Sequence, residues 1–170
     1  MSASYREKLL TNKPNKRQNT MKNQIKAIVD AILSHNAGEH VYSDVKQLFI
    51  DIADNFDNDF YVDFDGREYR VLSNDDILDI MKDELASDTY VLGCGSDWFM
   101  SDVTGLPVDA IQKIQDADAF EALGIIIANN DEMLTKFAEG IISHDGAGHH
   151  FSGYDFSETD AGEYTVFCVN

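Results

Sequence analysis

Carboxylates are the residues of this chain whose number and spacing most clearly suggest a chemistry. The 170-residue sequence carries 31 Asp and Glu against 13 Lys and Arg. Side chains at i, i+3 and i+4 of a helix lie about 5–6 Å apart, so carboxylates at that spacing form a row of negative charge that can imitate nucleic-acid phosphates. Two such rows are expected to bind a basic partner: Asp51, Asp54, Asp57, Asp59, Asp63 and Asp65 in the first, and Asp76, Asp79, Asp83 and Glu84 in the second.

The two signs of charge are separated along the sequence. Seven of the 13 cations fall in the first 26 residues with Glu7 as the only acid, which gives that segment a net charge of +6. The remaining 144 residues hold six cations and 30 acids, a net charge of −24. A solvated face is the plainer interpretation of any single acidic row. The net charge of −24 nevertheless exceeds in magnitude the value of about 2–8 that is typical of a soluble small domain.

The sequence contains no residue spacing that is typical of a metal site. The Asp-rich segment 54–59 has no starting point that gives an EF-hand its ligands at positions 1, 3 and 5 with Gly at 6. His144, His149 and His150 have no partner motif of zinc-binding spacing, and two adjacent histidines on a strand point to opposite faces. We therefore expect neither a metal nor a cofactor.

Cys94 is the one candidate nucleophile. It lies between Gly93 and Gly95, which could expose it, and a pair with His149 would suit a thiol hydrolase. The same glycines are equally typical of a tight turn, and no pattern couples Cys94 to a histidine. We expect a protein without catalytic activity, and we keep a small Cys-dependent hydrolase as an alternative. Cys168, on an aromatic strand, is expected to be a core residue.

Hydrophobic periodicity in the first half predicts helices and one hairpin. Helical spacing predicts a helix over residues 21–35, and Ser43 is expected to cap a second one. Alternation from Phe60 onward, with a turn at Asp65-Gly66, predicts a β-hairpin. Ser73 is expected to cap the helix that carries the second acidic row.

The second half reads as helices followed by a second hairpin. Tyr90 to Leu92 is expected to be a short strand, and Trp98-Phe99-Met100 is expected to be buried. Helices are predicted over residues 108–114, 117–128 and 131–141, and strands of a C-terminal hairpin over 148–154 and 163–169. The predicted fold class is therefore α+β, with helices packed around a small antiparallel sheet built from two β-hairpins.

The organisation that we predict is a basic N-terminal arm, residues 1–20, followed by a single acidic α+β domain, residues 21–170. The body repels nucleic acid and anionic membranes and attracts basic surfaces. Tyr5 is the only aromatic residue of the arm, which serves base stacking poorly. We expect the arm to dock on the acidic body of its own chain, or of a second copy in a homodimer, rather than on nucleic acid.

Two segments carry a resemblance to known proteins. Residues 64–85, FDGREYRVLSNDDILDIMKDEL, resemble a strand-turn-strand-helix unit of small acidic proteins from bacteriophages and mobile elements. Residues 148–170, GHHFSGYDFSETDAGEYTVFCVN, resemble the tail of many of the same proteins. The tail departs from them at Phe156, where a turn glycine is commoner, and at Cys168, where a cation is commoner. The resemblance implies a phage or mobile-element source.

Source and charge together lead to the functional hypothesis. By analogy of composition with antirestriction and anti-CRISPR proteins, we expect an inhibitor that imitates nucleic-acid charge and blocks a host defence or DNA-binding protein in the host cytosol. The partner would be a basic nucleic-acid-binding groove, with no direct contact to nucleic acid or membrane. A second hypothesis is a non-catalytic interaction or assembly module that uses the basic arm or an apolar patch around Trp98.

Overall fold

The computed structural model describes residues 16–36, 43–153 and 155–170, and these form an α+β fold of helices around one antiparallel sheet. The strands are β1 (Asp59–Phe64), β2 (Arg67–Ser73), β3 (Glu158–Asp160) and β4 (Tyr164–Cys168). The helices are α1 (Lys16–His35), α2 (Val45–Asn55), α3 (Ile77–Ser87), α4 (Thr89–Gly93), α5 (Asp97–Thr104), α6 (Val108–Asp116), α7 (Phe120–Ala128), α8 (Asp131–His144) and α9 (Gly148–Phe151). No helix of these described ranges is both long enough and apolar enough to traverse a bilayer.

Two hairpins join into a four-stranded sheet of order β1-β2-β4-β3. The first hairpin has the predicted turn: Asp65 and Gly66 both have positive φ, 54° and 81°, as a type I′ turn requires. Strands β2 and β4 pair at the centre, with Arg70 opposite Phe167. Strand β1 is therefore one free edge of the sheet, and its residues alternate between exposed and buried along its length.

The sheet is covered on both faces by separate apolar clusters. Helices α1 and α2 pack on one face against residues such as Phe60, Val62 and Val71. The other face presents Leu72 and Phe167 to the remaining helices. Because a strand alternates its side chains between faces, β2 and β4 contribute to both clusters. Cys168 is buried in the first cluster, as predicted.

The predicted second hairpin has the wrong first strand. Residues 148–151 form the short helix α9, and the strand that pairs with β4 is β3, inside the segment predicted to be a loop. Gly148 is the physical reason, because a Cβ there would lie 2.4 Å from the carbonyl oxygen of Phe156. Phe151 then packs on Phe167, with ring centroids 5.2 Å apart. Residues 152 and 153 lie outside any helix or strand, and Tyr154, at the end of the predicted strand, lies outside the described residues.

The strand predicted over Tyr90 to Leu92 is also wrong, since these residues lie in α4. Asp88 caps that helix by accepting a hydrogen bond from the amide of Val91 at 3.1 Å. The helix then crosses α7 at a close approach, where a Cβ on Gly124 would lie 1.6 Å from the carbonyl oxygen of Thr89. Tertiary packing has overridden the β-branched and aromatic propensity of this segment.

Several predicted helix ends differ from those observed. Helix α1 begins at Lys16 rather than at residue 21, so the last five residues of the predicted arm belong to it, while residues 1–15 lie outside the described residues. Asp44 caps α2 in place of Ser43, with a 2.8 Å bond to the amide of Lys46. Ser73 ends β2 instead of capping α3, which begins four residues later.

The helices of the second half occupy the predicted segments with shifted ends. Helix α6 extends to Asp116 and α8 to His144. Helix α7 starts at Phe120 rather than at residue 117, because Asp118 has a φ of 57° and separates it from α6. Within α5, Met100 is buried and Phe99 partly so, but the expectation that Trp98 is buried is wrong, since it is 77% exposed.

Candidate functional site: an acidic edge and an aromatic groove

The predicted carboxylates surround the edge of the sheet formed by β1. We call this surface the acidic edge; its members are Asp51 and Asp54 on α2, Asp57 between α2 and β1, Asp59 and Asp63 on β1, Asp65 in the hairpin turn, Asp76 at the start of α3, and Asp79, Asp83 and Glu84 on α3. Helix α2 packs on one face of the sheet and α3 on the other. Because Phe60 and Val62 of β1 face α2, Asp59 and Asp63 of the first row lie on the α3 side of the sheet together with the second row, whereas Asp51 and Asp54 lie on α2, on the other side.

Arg70 joins the two rows. Its guanidinium donates to both carboxylate oxygens of Asp59, at 2.9 and 2.7 Å, and lies 2.6 Å from a carboxylate oxygen of Glu84. It is buried between two aromatic rings, 5.4 Å from the ring centre of Tyr61 and 5.0 Å from that of Phe151. Hydrogen bonding to Asp59 is the largest influence on this group, and together with Glu84 it raises the pKa of Arg70 further above its ordinary value despite partial burial.

Asp59 and Glu84 therefore have a structural role as partners of Arg70, and they also contribute negative charge to the surface. Glu84 also lies 3.1 Å from the Nε2 atom of His150, which places a third element, α9, in the same cluster. A fork-shaped donor that binds one carboxylate at two points positions it far better than a point charge does. The outcome is a fixed separation between β1 and α3, and hence between the two rows.

The other members of the acidic edge differ in their exposure. Asp54, Asp57, Asp63, Asp79 and Asp83 are exposed. Three members are partly buried: Asp51, which accepts a 2.7 Å hydrogen bond from Gln47; Asp65, which lies in the hairpin turn; and Asp76, which precedes α3. The exposed five are the carboxylates that an incoming partner would meet first.

The cations of the body are largely occupied by neighbouring carboxylates. Besides Arg70, Lys82 lies 2.7 Å from Asp131, and Lys136 lies 3.2 Å from Glu132. The pKa of Lys82 is raised, chiefly by its hydrogen bond to Asp131. Asp79 and Asp83 raise that pKa further, so Lys82 offsets part of the charge on the α3 side of the acidic edge.

A second candidate site is a groove of about 810 Å³ between α4, α5, α8 and α9. We call it the aromatic groove; it is lined by Val91, Cys94, Gly95, Ser96, Trp98, Phe99, Asp102, Phe137, Ile141, His144, Asp145 and His149. Its volume falls in the range of about 300–1,000 Å³ that small-molecule sites occupy. Sequence reasoning named Cys94, His149 and the patch around Trp98 separately but did not predict one groove, because its residues come from four helices that no local pattern connects.

The groove brings together the residues considered for a thiol hydrolase. Cys94, His144 and His149 all line it, and Cys94 is exposed. In the described part of the chain, however, no hydrogen bond joins Cys94 to either histidine. The ring of His149 instead stacks on Phe156 at 4.8 Å, and the hydroxyl of Tyr90 has its pKa raised, chiefly by the neighbouring Cys94 thiol. A nucleophile and its base need a direct hydrogen bond, so the hydrolase stays a hypothesis with only proximity in its favour.

A polar cluster fastens α1 to the C-terminal segment. The ring nitrogens of His35 lie 2.9 Å from the carboxylate of Asp155 and 3.3 Å from the hydroxyl of Tyr69. Partial burial raises the pKa of Asp155, but hydrogen bonds from the side chain and backbone of Ser157, and from His35, outweigh it and hold that pKa well below the ordinary range. This cluster ties α1, which contains the last residues of the basic segment, to the body.

Metal ligands are not assembled in the described ranges 16–36, 43–153 and 155–170, where no group of three His, Cys, Asp or Glu side chains converges on one point.

Comparisons of the chain with protein families, with curated proteins and with solved structures gave no match. The acidic edge and the aromatic groove are therefore the two features that bear on function.

Proposed function

We propose that this protein binds the basic nucleic-acid-binding surface of another protein through the acidic edge, and so keeps nucleic acid away from it. The observation that carries the proposal is the set of five exposed carboxylates on and around β1. Arg70 ties two of the elements that carry them, β1 and α3, through Asp59 and Glu84. The resemblance of residues 64–85 and 148–170 to phage and mobile-element proteins supports a target among host defence or DNA-handling proteins in the cytosol.

The spacing of these carboxylates suits the role. Asp79 and Asp83 are four residues apart on α3, about 5–6 Å by helix geometry. Asp59 and Asp63 are four residues apart on β1, which at about 3.4 Å per residue places them about 13–14 Å apart on one side of the strand. Duplex DNA carries one phosphate per about 3.4 Å of axis on each strand, so the α3 pair comes near this spacing, whereas the β1 pair is about four times sparser.

Electrostatics predicts how such binding should behave. A groove that releases counterions when it binds DNA would do the same when it binds a matching array of carboxylates, and affinity would fall steeply with added salt. Exposed charges farther apart than a Debye length, about 10 Å at 0.1 M salt, are largely screened. The edge should therefore lose most of its attraction between about 50 and 300 mM salt.

The test compares two variants of equal net charge. The edge variant carries Asp54→Asn, Asp63→Asn, Asp79→Asn and Asp83→Asn, all exposed positions. The control variant neutralises four exposed acids of α6, α7 and α8 with Asp109→Asn, Asp116→Asn, Glu121→Gln and Glu139→Gln. Each protein is immobilised and used to capture proteins from bacterial lysate at about 50 mM salt, and duplex DNA is then added as a competitor.

The expected result is capture of nucleic-acid-binding proteins that DNA releases and that high salt abolishes. The edge variant should retain at most about a tenth of the wild-type capture, whereas the control variant should retain most of it. Equal losses in both variants would mean that only the total charge matters and that the acidic edge has no special role. Capture that persists unchanged at high salt would contradict charge mimicry altogether.

A further inference from the structure

The aromatic groove exposes an aromatic side chain that the fold does not need for its core. Trp98 is the only tryptophan of the sequence and the second residue of α5, whose start is capped by Ser96. It is 77% exposed. The next residue, Phe99, packs inward on Phe137 with ring centroids 5.1 Å apart. An indole left in water beside a cavity is typical of a binding surface, because aromatic residues contribute large contact area at low entropic cost.

The floor of the groove is fixed by close packing. A Cβ on Gly140 would lie 2.4 Å from the ring of Phe99, so glycine at this position lets that ring approach α8 closely. A Cβ on Gly95 would lie 2.6 Å from the sulfur of Met100, a buried residue of α5. Glycine at position 95 therefore leaves space for that side chain. Both glycines therefore leave room for side chains of α5, Phe99 and Met100, beneath the groove.

An unusual backbone conformation supports the opposite wall. Phe156 has a φ of 59°, in the left-handed region that an aromatic residue rarely adopts, and its ring is 58% exposed. That ring stacks on His149 with an interplanar angle of 18°. Strained residues of this kind persist where surrounding structure compensates for them, and they concentrate at binding sites.

The charged residues of the groove are all acidic. Asp102 and Asp145 contribute carboxylates to the lining, and no Lys or Arg among the described residues does so. A cation over the face of an exposed tryptophan is attracted by the ring quadrupole, and nearby carboxylates add to that attraction. The groove thus combines an aromatic face, an apolar floor and negative charge.

We propose that the aromatic groove binds a small organic cation: an amine or quaternary ammonium group carried on an apolar body. The cationic group lies against Trp98 within reach of Asp102 and Asp145, and the apolar body fills the space over Phe99, Phe137 and Ile141. This site is separate from the acidic edge, so the proposal for the groove and the proposal for the edge can be tested and rejected independently.

The experiment titrates the full-length protein with benzyltrimethylammonium and follows the fluorescence of Trp98, which reports on this site alone because the chain has no other tryptophan. Benzyl alcohol, which has the same ring without the charge, is the matched ligand. Saturable quenching by the cation, at concentrations at least about five-fold below those needed with benzyl alcohol, is the expected result. Equal responses to the two ligands would overturn the proposal.

Variants then separate the site from the overall negative charge. The pair Asp102→Asn and Asp145→Asn should weaken binding of the cation about five-fold, whereas Asp109→Asn with Asp116→Asn, outside the lining, should change it less than about two-fold. Trp98→Ala should abolish binding as followed by NMR, with an unchanged circular dichroism spectrum. Equal effects of the two Asp pairs would overturn the proposal. The four-residue edge variant should bind the cation normally.

Discussion

The acidic edge and the aromatic groove are built by opposite means. At the edge, a buried cation holds negative groups in place, with Arg70 connecting Asp59 on β1 to Glu84 on α3. The groove instead depends on helices that pack at short range: Gly124 admits the backbone of Thr89 in α4, which forms one wall, and Gly140 admits the ring of Phe99. The comparison teaches that charge on an exposed surface tolerates substitution, whereas a shape made by backbone contact does not. The following predictions test each half of that statement.

Gly124→Ala should have the largest effect on stability. The added methyl group would meet backbone atoms of Thr89, which cannot rotate away, so α4 and α7 must separate. We expect a loss of about 3 kcal/mol in the free energy of unfolding, measured by urea denaturation. Ile125→Ala, at an exposed position on the same helix, should cost less than about 1 kcal/mol. A Gly124→Ala protein as stable as the wild type would show that this crossing is not tightly packed.

Arg70→Met should come next. It leaves Asp59 and Glu84 without their shared cation and removes a group packed between two aromatic rings. Breaking a fully buried ion pair costs about 3–5 kcal/mol, and because both carboxylates are partly exposed we expect about 2–3 kcal/mol. Lys113→Met, at an exposed position, should change the unfolding free energy by less than about 0.5 kcal/mol.

A triple variant sharpens this second prediction. Adding Asp59→Asn and Glu84→Gln to Arg70→Met removes the stranded charges, so part of the lost stability should return. If the triple variant recovers no stability, the loss in Arg70→Met comes from the missing packing of the guanidinium between Tyr61 and Phe151 rather than from stranded carboxylates.

Asp155→Asn should have the smallest effect, and the effect should depend on pH. The pKa of Asp155 is lower in the folded protein than its ordinary value of 3.8. Its contribution to stability is therefore fully present above that value and is lost as the pH falls below it towards the folded pKa. We expect the variant to be less stable by about 1 kcal/mol at pH 6, because the side chain is about a third exposed.

The measurement for Asp155 is urea denaturation of both proteins at pH 6 and at about pH 3. The difference in unfolding free energy between wild type and variant should shrink at the lower pH. A difference that stays constant with pH would mean that the charge of Asp155 has no role in stability.

Local patterns predicted the α+β fold and its first half well. The Asp65-Gly66 turn needs only two residues with positive φ, and the helices that carry Ile28 or Met81 bury one face at helical spacing. Turns and buried helix faces of this kind depend on residues that are close in sequence, so they can be inferred from the sequence. The carboxylates that we selected follow from the same patterns, and their role stays a prediction.

What sequence reasoning missed depends on contacts between distant segments. Residues 89–93 are helical because Gly124 admits them closely, and residues 148–151 are helical because Gly148 lies against the backbone of Phe156. The role of Arg70 in joining the two acidic rows has no sequence signal either, since its partners are 11 and 14 residues away on different elements. The departure noted at Phe156 was the one visible sign of a special turn.

The most direct test of the central claim is a displacement titration on a nucleic-acid-binding protein captured from lysate. Labelled duplex DNA is bound to that protein at about 50 mM salt, and wild-type protein, edge variant and control variant are added in turn. The account predicts that wild type and control variant displace the DNA at similar concentrations, and that the edge variant needs at least about ten-fold more. Displacement by the edge variant at the wild-type concentration would contradict the account.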